Sequence, residues 1–354
     1  MKIQRRRAVV VKIGNLRIGG NNPVAIQSMV KVKTSHTAAV IRQLEALKLA
    51  GCEIVRLAVK DRADALAIKT LKESTKLPLV ADIHFDWQLA LAAIDNGVDK
   101  IRLNPGNIYK RGQIKEIARA AKASRISIRV GLNSGSLPNT KHLTPNIKIA
   151  DRMVRAGLEY IKIIEGCGFY DLVVSLKASN IFDTVEAYRK MAGSCGYPFH
   201  LGVTATGLPA NGAIKSSIAI GALLLEGIGD TIRVSLTDIP QEEVRVARAI
   251  LEALSLRKFG PEVISCPTCG RCEVDLVKLV KTLENRLSTV NFQPSTRQMK
   301  LAIMGCVVNG PGEAKEADIG VAFGKKEGLL FKKGKPVKKI CFDDCIDILL
   351  KEVK

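Results

Sequence analysis

Cys266, Cys269 and Cys272, in the stretch SCPTCGRCEVDL, fall within seven positions. Two spacings of three residues put the sulfurs on one side of a tight turn or a first helical turn, where thiolates converge on a soft metal ion or an iron-sulfur cluster. A zinc ribbon would need a second CxxC about fifteen to twenty residues away, and none stands there. Cys341 and Cys345 would serve only with an unusual spacing, and in KKICFDDCIDILL they fit one helix face at i, i+4. IMGCVVNGPGEAKEAD supplies instead Cys306 after an apolar strand and Glu313 beyond a flexible NGPG turn. Cys266, Cys269 and Cys306 then give three thiolates, and the fourth position falls to Cys272 or to Glu313. An oxygen ligand exchanges more readily and leaves one iron open to substrate, whereas a fourth thiolate makes a closed electron carrier.

A second set of candidates lies on short β-rich runs at 24–29, 54–59, 77–85, 100–104, 126–133, 172–179, 199–204 and 231–236. Helical patterns such as AAVIRQLEALKLAGCE alternate with them, apolar at i, i+3, i+4 and i+7 and closed by a glycine. Eight βα units predict a (β/α)8 TIM barrel, ahead of an open doubly wound sheet; no GxGxxG follows the first strand. Such barrels carry their chemistry at the C-terminal strand ends. There stand Arg56, the pair Asp82 and His84, Arg102 with Asn104, Arg129 with Asn133, and Lys177. The last two strands add His200 and Thr204, then Arg233 and Ser235. Basic side chains inside a barrel are costly unless an anion meets them. Arg102, Arg129, Lys177 and Arg233 offer forked and point-charge donors, with Asn133 and Ser235 as neutral ones, which suits a diphosphate. Asp82 and His84, two apart on one strand, point the same way as a potential acid-base pair.

The alternation stops near residue 260. The expected organisation is α/β, with a barrel over 1–260 that binds the substrate diphosphate and a small α+β iron-sulfur domain over 261–354. The chain of 354 residues is 47% hydrophobic, with no apolar run near the roughly 18 residues that span a bilayer, so a soluble protein is expected. The basic start MKIQRRRAVVVKIG lacks a signal-peptide pattern, and nine dilute cysteines fit reduced thiols, which together read as cytoplasmic. Cys52, Cys167 and Cys195 sit singly beside glycines and read as ordinary packed thiols. A net charge of +21 implies an anionic partner. Aromatics at 4% and the absence of any nucleic-acid-binding signature argue against nucleic acid. A phosphorylated substrate or an acidic protein partner remains.

The motifs QSM, ADIHFD, NPGNI, IRVGLNSGSL, VSLKAS, HLGVT, GDTIRVSL, SCPTCGR and GCVVNGPGEA follow one another over nearly the whole chain. In that order they resemble the 4-hydroxy-3-methylbut-2-enyl diphosphate synthases, iron-sulfur enzymes of the non-mevalonate isoprenoid pathway. The resemblance implies the compact bacterial two-domain form, a 4Fe-4S cluster, and a homodimer in which each cluster domain caps the partner's barrel. It implies reductive ring opening of 2-C-methyl-D-erythritol 2,4-cyclodiphosphate, fed by an acidic flavodoxin or ferredoxin. It places the cluster ligands on Cys266, Cys269, Cys306 and Glu313, leaving Cys272 as an extra thiol. It places diphosphate donors on Arg56, Arg102, Arg129, Asn133, Lys177, Arg233 and Ser235. Two stretches depart from the family. HLGVTATG has Ala205 where a catalytic glutamate is usual, and QSMVKVKTSH has Val30, Lys31 and Val32 where small polar residues are usual. A missing acid leaves either a slow enzyme or one with a substitute donor, for which the candidates are Asp82 with His84, His36, Lys31, or a water held by Thr204 and Thr206. It also opens a second reading, a non-catalytic homologue that acts as an iron-sulfur sensor or a diphosphate-binding protein.

Overall fold

The computed structural model describes residues 3–137, 147–204, 206–288, 290, 292 and 296–353. The chain divides into two compact units, Met1–Arg257 and Lys258–Lys354.

The first unit opens with a hairpin, β1 (Val11–Ile13) and β2 (Leu16–Ile18), in a region where the sequence reading assigned no element. Strands of three residues are too short to declare a period of two, but Gly14 takes the left-handed φ of +58° that the two-residue turn needs. Then come β3 (Ala25–Met29), α1 (Thr37–Ala50), β4 (Ile54–Val59), α2 (Arg62–Ser74), β5 (Leu79–Ile83), α3 (Gln88–Asp95), β6 (Lys100–Leu103), α4 (Arg111–Ala123) and β7 (Ser127–Asn133). The barrel continues with α5 (Ile149–Glu165), β8 (Leu172–Lys177), α6 (Ile181–Ala192), β9 (His200–Leu201), α7 (Pro209–Leu225), β10 (Thr231–Ile232) and α8 (Pro240–Ala253). The eight strands β3 to β10 form one parallel sheet in the order β8-β7-β6-β5-β4-β3-β10-β9. A parallel bridge between Val174 and Phe199 closes it. This is the (β/α)8 barrel that the alternation predicts. Gly51, left-handed at φ 92°, ends α1 as its sequence pattern requires.

The hairpin plugs the N-terminal mouth. Val11, Ile13 and Ile18 pack against Ala25, Ile54, Val80 and Val173, the lowest inward residues of four strands. Two residues further along those strands the interior turns polar, so the plug separates the charged site from solvent below. The last two strands are shorter than their sequence runs, 199–204 and 231–236. One further backbone bond, Arg233 N–H to the Leu201 carbonyl at 3.0 Å, follows the β9–β10 ladder before the chains diverge. Arg233 and Ser235 therefore stand on irregular backbone at the rim.

The second unit runs β11 (Glu262–Ser265), α9 (Leu276–Ser288), β12 (Lys300–Met304), α10 (Gly310–Glu316), β13 (Ile319–Phe323), β14 (Gly328–Lys332), β15 (Lys335–Ile340) and α11 (Cys345–Glu352). Its sheet follows chain order, parallel from β11 to β13 and antiparallel from β13 to β15. Leu283, Leu301, Ile303, Val321, Leu330 and Leu349 centre its core. Two sequence readings change here. The NGPG stretch is the cap and first turn of α10 rather than a flexible turn, because a proline at the start of a helix gives up only an N–H that would be unpaired anyway. Cys341 is exposed and precedes α11, so it does not share a helix face with Cys345, which is buried.

Candidate active site

Alternate residues on the barrel strands point inward. Register aligns Asp82 on β5, Arg102 on β6 and Arg129 on β7 side by side. Asp82 accepts from Arg102 Nη1 at 3.2 Å and lies 3.8 Å from Arg56 Nε and 3.6 Å from His84 Nε2. Burial pushes its carboxyl up, but Arg56, Arg102, Arg129 and His84 together outweigh that and hold it at about 2. Asp82 is therefore a fixed anion that orients its neighbours, not a proton donor. His84, whose side chain is 39% exposed, stands at the rim with Nε2 toward Asp82.

Six inward cations, Arg56, Lys100, Arg102, Arg129, Lys177 and Arg233, face two carboxylates, Asp82 and Glu243. Arg129 is 1% exposed, and its Nε and Nη1 find no hydrogen-bond partner among the described residues. Arg102 Nε and Lys100 Nζ are likewise buried without one. Burial, then the neighbouring cations, push Lys100, Arg129 and Lys177 well below their usual values, and burial brings Arg56 to about 10. Two glycines make room. A Cβ on Gly131 would stand 2.5 Å from Arg102 Nε, and one on Gly202 would stand 2.6 Å from Lys177 Nζ.

His200 and Asn104 lie in the same interior but are already engaged. His200 places Nε2 3.2 Å from Lys177 Nζ and Nδ1 2.8 Å from Thr231 Oγ1; burial and Lys177 keep the ring neutral. Asn104 donates to Ser136 Oγ at 2.8 Å and accepts from the Gly106 N–H, which holds the following loop. Asn133 and Ser235 are half-buried. Thr206 bonds the Ser235 carbonyl, and Ala205 lies outside the described residues. His36 starts α1 without a side-chain cap bond. Sequence reasoning missed Glu243, which accepts two bonds from Arg233, at 3.2 Å from Nε and 3.0 Å from Nη2. A signal was present: Glu243 shares the buried stripe of α8 with Ala247 and Ile250, where a carboxylate needs a partner.

In the second unit, the C-terminal ends of adjacent strands β11 and β12 carry Cys266 and the Gly305–Cys306 pair. The Gly305 N–H donates to Cys266 Sγ at 3.4 Å, and its carbonyl accepts from the Glu273 N–H at 2.8 Å, so the cysteine loop wraps Gly305. A Cβ there would meet Cys272 Sγ at 2.3 Å. Backbone N–H groups of Val308, Asn309 and Gly310 lower the Cys306 thiol, which favours its thiolate. Cys269 is exposed and Glu313 is in the first turn of α10. Among the described residues no three His, Cys, Asp or Glu side chains meet as a single-ion site. A cubane takes one protein ligand at each iron, so its donors surround a body rather than converge on a point. Three loop thiols, a thiolate-favouring Cys306 and the carboxylate in the first turn of the helix that follows it are a donor set of that chemistry.

Residues 8–248 match the GcpE TIM-barrel domain and residues 262–354 the GcpE protein C-terminal domain. The chain is 48% identical over 351 residues to 4-hydroxy-3-methylbut-2-en-1-yl diphosphate synthase (flavodoxin) of Dehalococcoides mccartyi strain CBDB1, covering 99% of each. It is 50% identical over 346 residues, 97% of each, to the protein of that name from Caldicellulosiruptor saccharolyticus. Among solved structures it is similar to dihydropteroate synthase from Stenotrophomonas maltophilia, with TM-score 0.53, 14% identity, and coverage of 70% of this chain and 98% of that one. That likeness concerns the barrel fold alone.

Proposed function

The chain belongs to the GcpE family of 4-hydroxy-3-methylbut-2-en-1-yl diphosphate synthases, and from that premise we propose that it reductively opens 2-C-methyl-D-erythritol 2,4-cyclodiphosphate. Two electrons and two protons break a ring C–O bond and release one water, leaving 4-hydroxy-3-methylbut-2-enyl diphosphate. The observation that carries this reading is the excess of buried cations around Arg129, whose two unpartnered nitrogens call for an anion with several acceptor oxygens. Arg56, Arg102, Arg129, Lys177 and Arg233 hold the diphosphate, with Asn133 and Ser235 as neutral donors. Asp82 and His200 set the positions of Arg102 and Lys177. His84 is the group assigned to move a proton, since it stands half-exposed at the rim with Asp82 3.6 Å from its Nε2.

Cys266, Cys269, Cys306 and Glu313 are the residues that would hold a 4Fe-4S cluster. When bound, that cluster supplies the two electrons one at a time. The cytoplasm is the expected place, since nine dilute cysteines suit a reducing compartment. The carrier is an acidic flavodoxin, in keeping with the name of the relatives and the charge of +21. A homodimer is the expected assembly on the resemblance of the motifs. The non-catalytic alternative finds no support, because relatives that align end to end carry the name of the enzyme.

The test is anaerobic reconstitution with iron and sulfide, followed by incubation with the cyclodiphosphate and a reductant. The expected outcome is the open-chain diphosphate from the native protein. Turnover should rise by about tenfold or more in Ala205→Glu if no other group fully replaces the missing acid. Reconstituted protein that binds the cyclodiphosphate but converts none of it, in either form, would overturn the reading.

A further inference from the structure

Lys31 stands in the loop after β3, at one of the two places where the sequence leaves its family's pattern. Its backbone N–H donates to Gln43 Oε1 on α1 at 3.0 Å, which fixes where the side chain starts. An ammonium has three N–H donors. Here the nitrogen lies 3.1 Å from Glu243 Oε1 and 2.7 Å from the Leu236 carbonyl, and it also meets the Asp238 carbonyl. All three donors have acceptors, so the amine is a strut rather than a free acid.

What the strut holds lies at the substrate end of the barrel. The buried Glu243 carboxylate takes Arg233 on both oxygens, the Ser28 hydroxyl at 2.8 Å and the Leu236 N–H at 3.2 Å. Arg233 and Glu243 alone would be a neutral pair. With Lys31 the group carries one net positive charge, so Arg233 keeps its attraction for an anion. The same amine ties the loop after β3 to the loop after β10. That second loop is bonded in turn to the segment after β9: Thr206 donates to the Ser235 carbonyl, and the Thr237 N–H to the Gly207 carbonyl at 3.0 Å.

We propose that Lys31 is a positioning residue of the diphosphate site, which acts through Glu243 on Arg233 and through the carbonyls of Leu236 and Asp238 on the rim that carries Ser235. The nature of the anion rests on the function proposed above; the positioning role does not. The test compares Lys31→Met, Lys31→Gln and Lys31→Arg with the native chain by calorimetric binding of the cyclodiphosphate and by turnover of the reconstituted enzyme. Lys31→Met should weaken binding and raise KM by about tenfold while kcat changes less than about threefold, the scale of one coupled charge. Lys31→Arg, which keeps the charge and the donors, should recover most of the affinity. Lys31→Gln keeps a donor without the charge and should fall between them. In a Lys31→Met, Arg233→Met cycle the two losses should not add. Native affinity in Lys31→Met would overturn the proposal. So would a kcat lost equally in Lys31→Met and Lys31→Arg at unchanged KM, which would make Lys31 the proton donor. A chain that turns nothing over but shows the binding pattern would refute the proposed function and leave the positioning role standing.

Discussion

Arg129, Lys100 and Lys177 sit in a barrel interior that is short of negative charge, and their proton affinities record it. Burial, and then repulsion by the neighbouring arginines, hold all three well below their usual values. A lysine whose folded value lies below its unfolded one costs stability while the folded form is charged, and the cost fades as pH rises toward the unfolded value of about 10.4. Through that window the unfolded chain binds more protons, so these two lysines make the ligand-free protein gain stability as pH rises. A diphosphate bound in this interior, as proposed above, would supply the missing charge and draw protons back onto Lys100 and Lys177. Calorimetric titration on the alkaline side of neutrality, below the unfolded value and in two buffers of different ionisation enthalpy, should therefore report proton uptake on binding. Heats that do not depend on the buffer would mean that both lysines are charged before the ligand arrives. Asp82 has the opposite sign. Its ion pairs add stability above the unfolded value of about 3.9, and that share is lost as pH falls through about 2.

At the scale of elements, the cysteine loop and the strand end beside it are one packed unit. Gly305 has to be a glycine because Cys272 Sγ fills the place of its Cβ. Cys272 also packs against the core of the second unit and donates to the Val274 carbonyl at 3.3 Å. Its role in this geometry is to support the Gly305–Cys306 peptide. Iron and sulfide analysis after anaerobic reconstitution should find about four of each per chain in the native protein and in Cys272→Ser. Cys306→Ser should hold almost none. Gly305→Ala should lose iron through its clash with Cys272, and the added change Cys272→Ala should restore it. Loss of iron in Cys272→Ser alone would place that sulfur in the cluster shell and remove Glu313 from it. The edge strand β15, KPVKKI, is exposed along five of its six residues, and its lysines and Pro336 discourage pairing with another sheet.

The whole molecule carries 55 basic and 34 acidic side chains. Part of that excess is internal, in the barrel, where burial shields it from salt. The rest is on the surface, including Lys325, Lys326, Lys333, Lys335, Lys338 and Lys339 in the second unit. Surface charges separated by more than about 8 Å are largely screened at physiological ionic strength. Raising salt should therefore slow reduction by an acidic flavodoxin more than it weakens binding of the cyclodiphosphate. Stopped-flow reduction and calorimetry over one salt series would compare the two, and equal salt slopes would argue against a basic docking surface.

Local patterns in the sequence determined the barrel. Apolar spacing, glycine stops and eight β-rich runs leave few ways to bury that much surface, and the spacing of Lys100, Arg102 and Asn104 already puts three polar side chains on one face. The cysteine spacing likewise marks a thiolate site before any fold is known. Closure of the barrel decided which charges meet. Lys31, Arg233 and Glu243 lie on β3, β10 and α8 or beside them, and no local period links the first strand to the last. Asp82 read alone is a candidate acid, but Arg56 and Arg102 from flanking strands make it a permanent anion. His200 read alone is a ligand for substrate, whereas Lys177 and Thr231 occupy both its nitrogens. A proton affinity or a hydrogen-bond partner depends on atoms brought within a few ångström by long-range contacts, and only the closed tertiary structure fixes those distances.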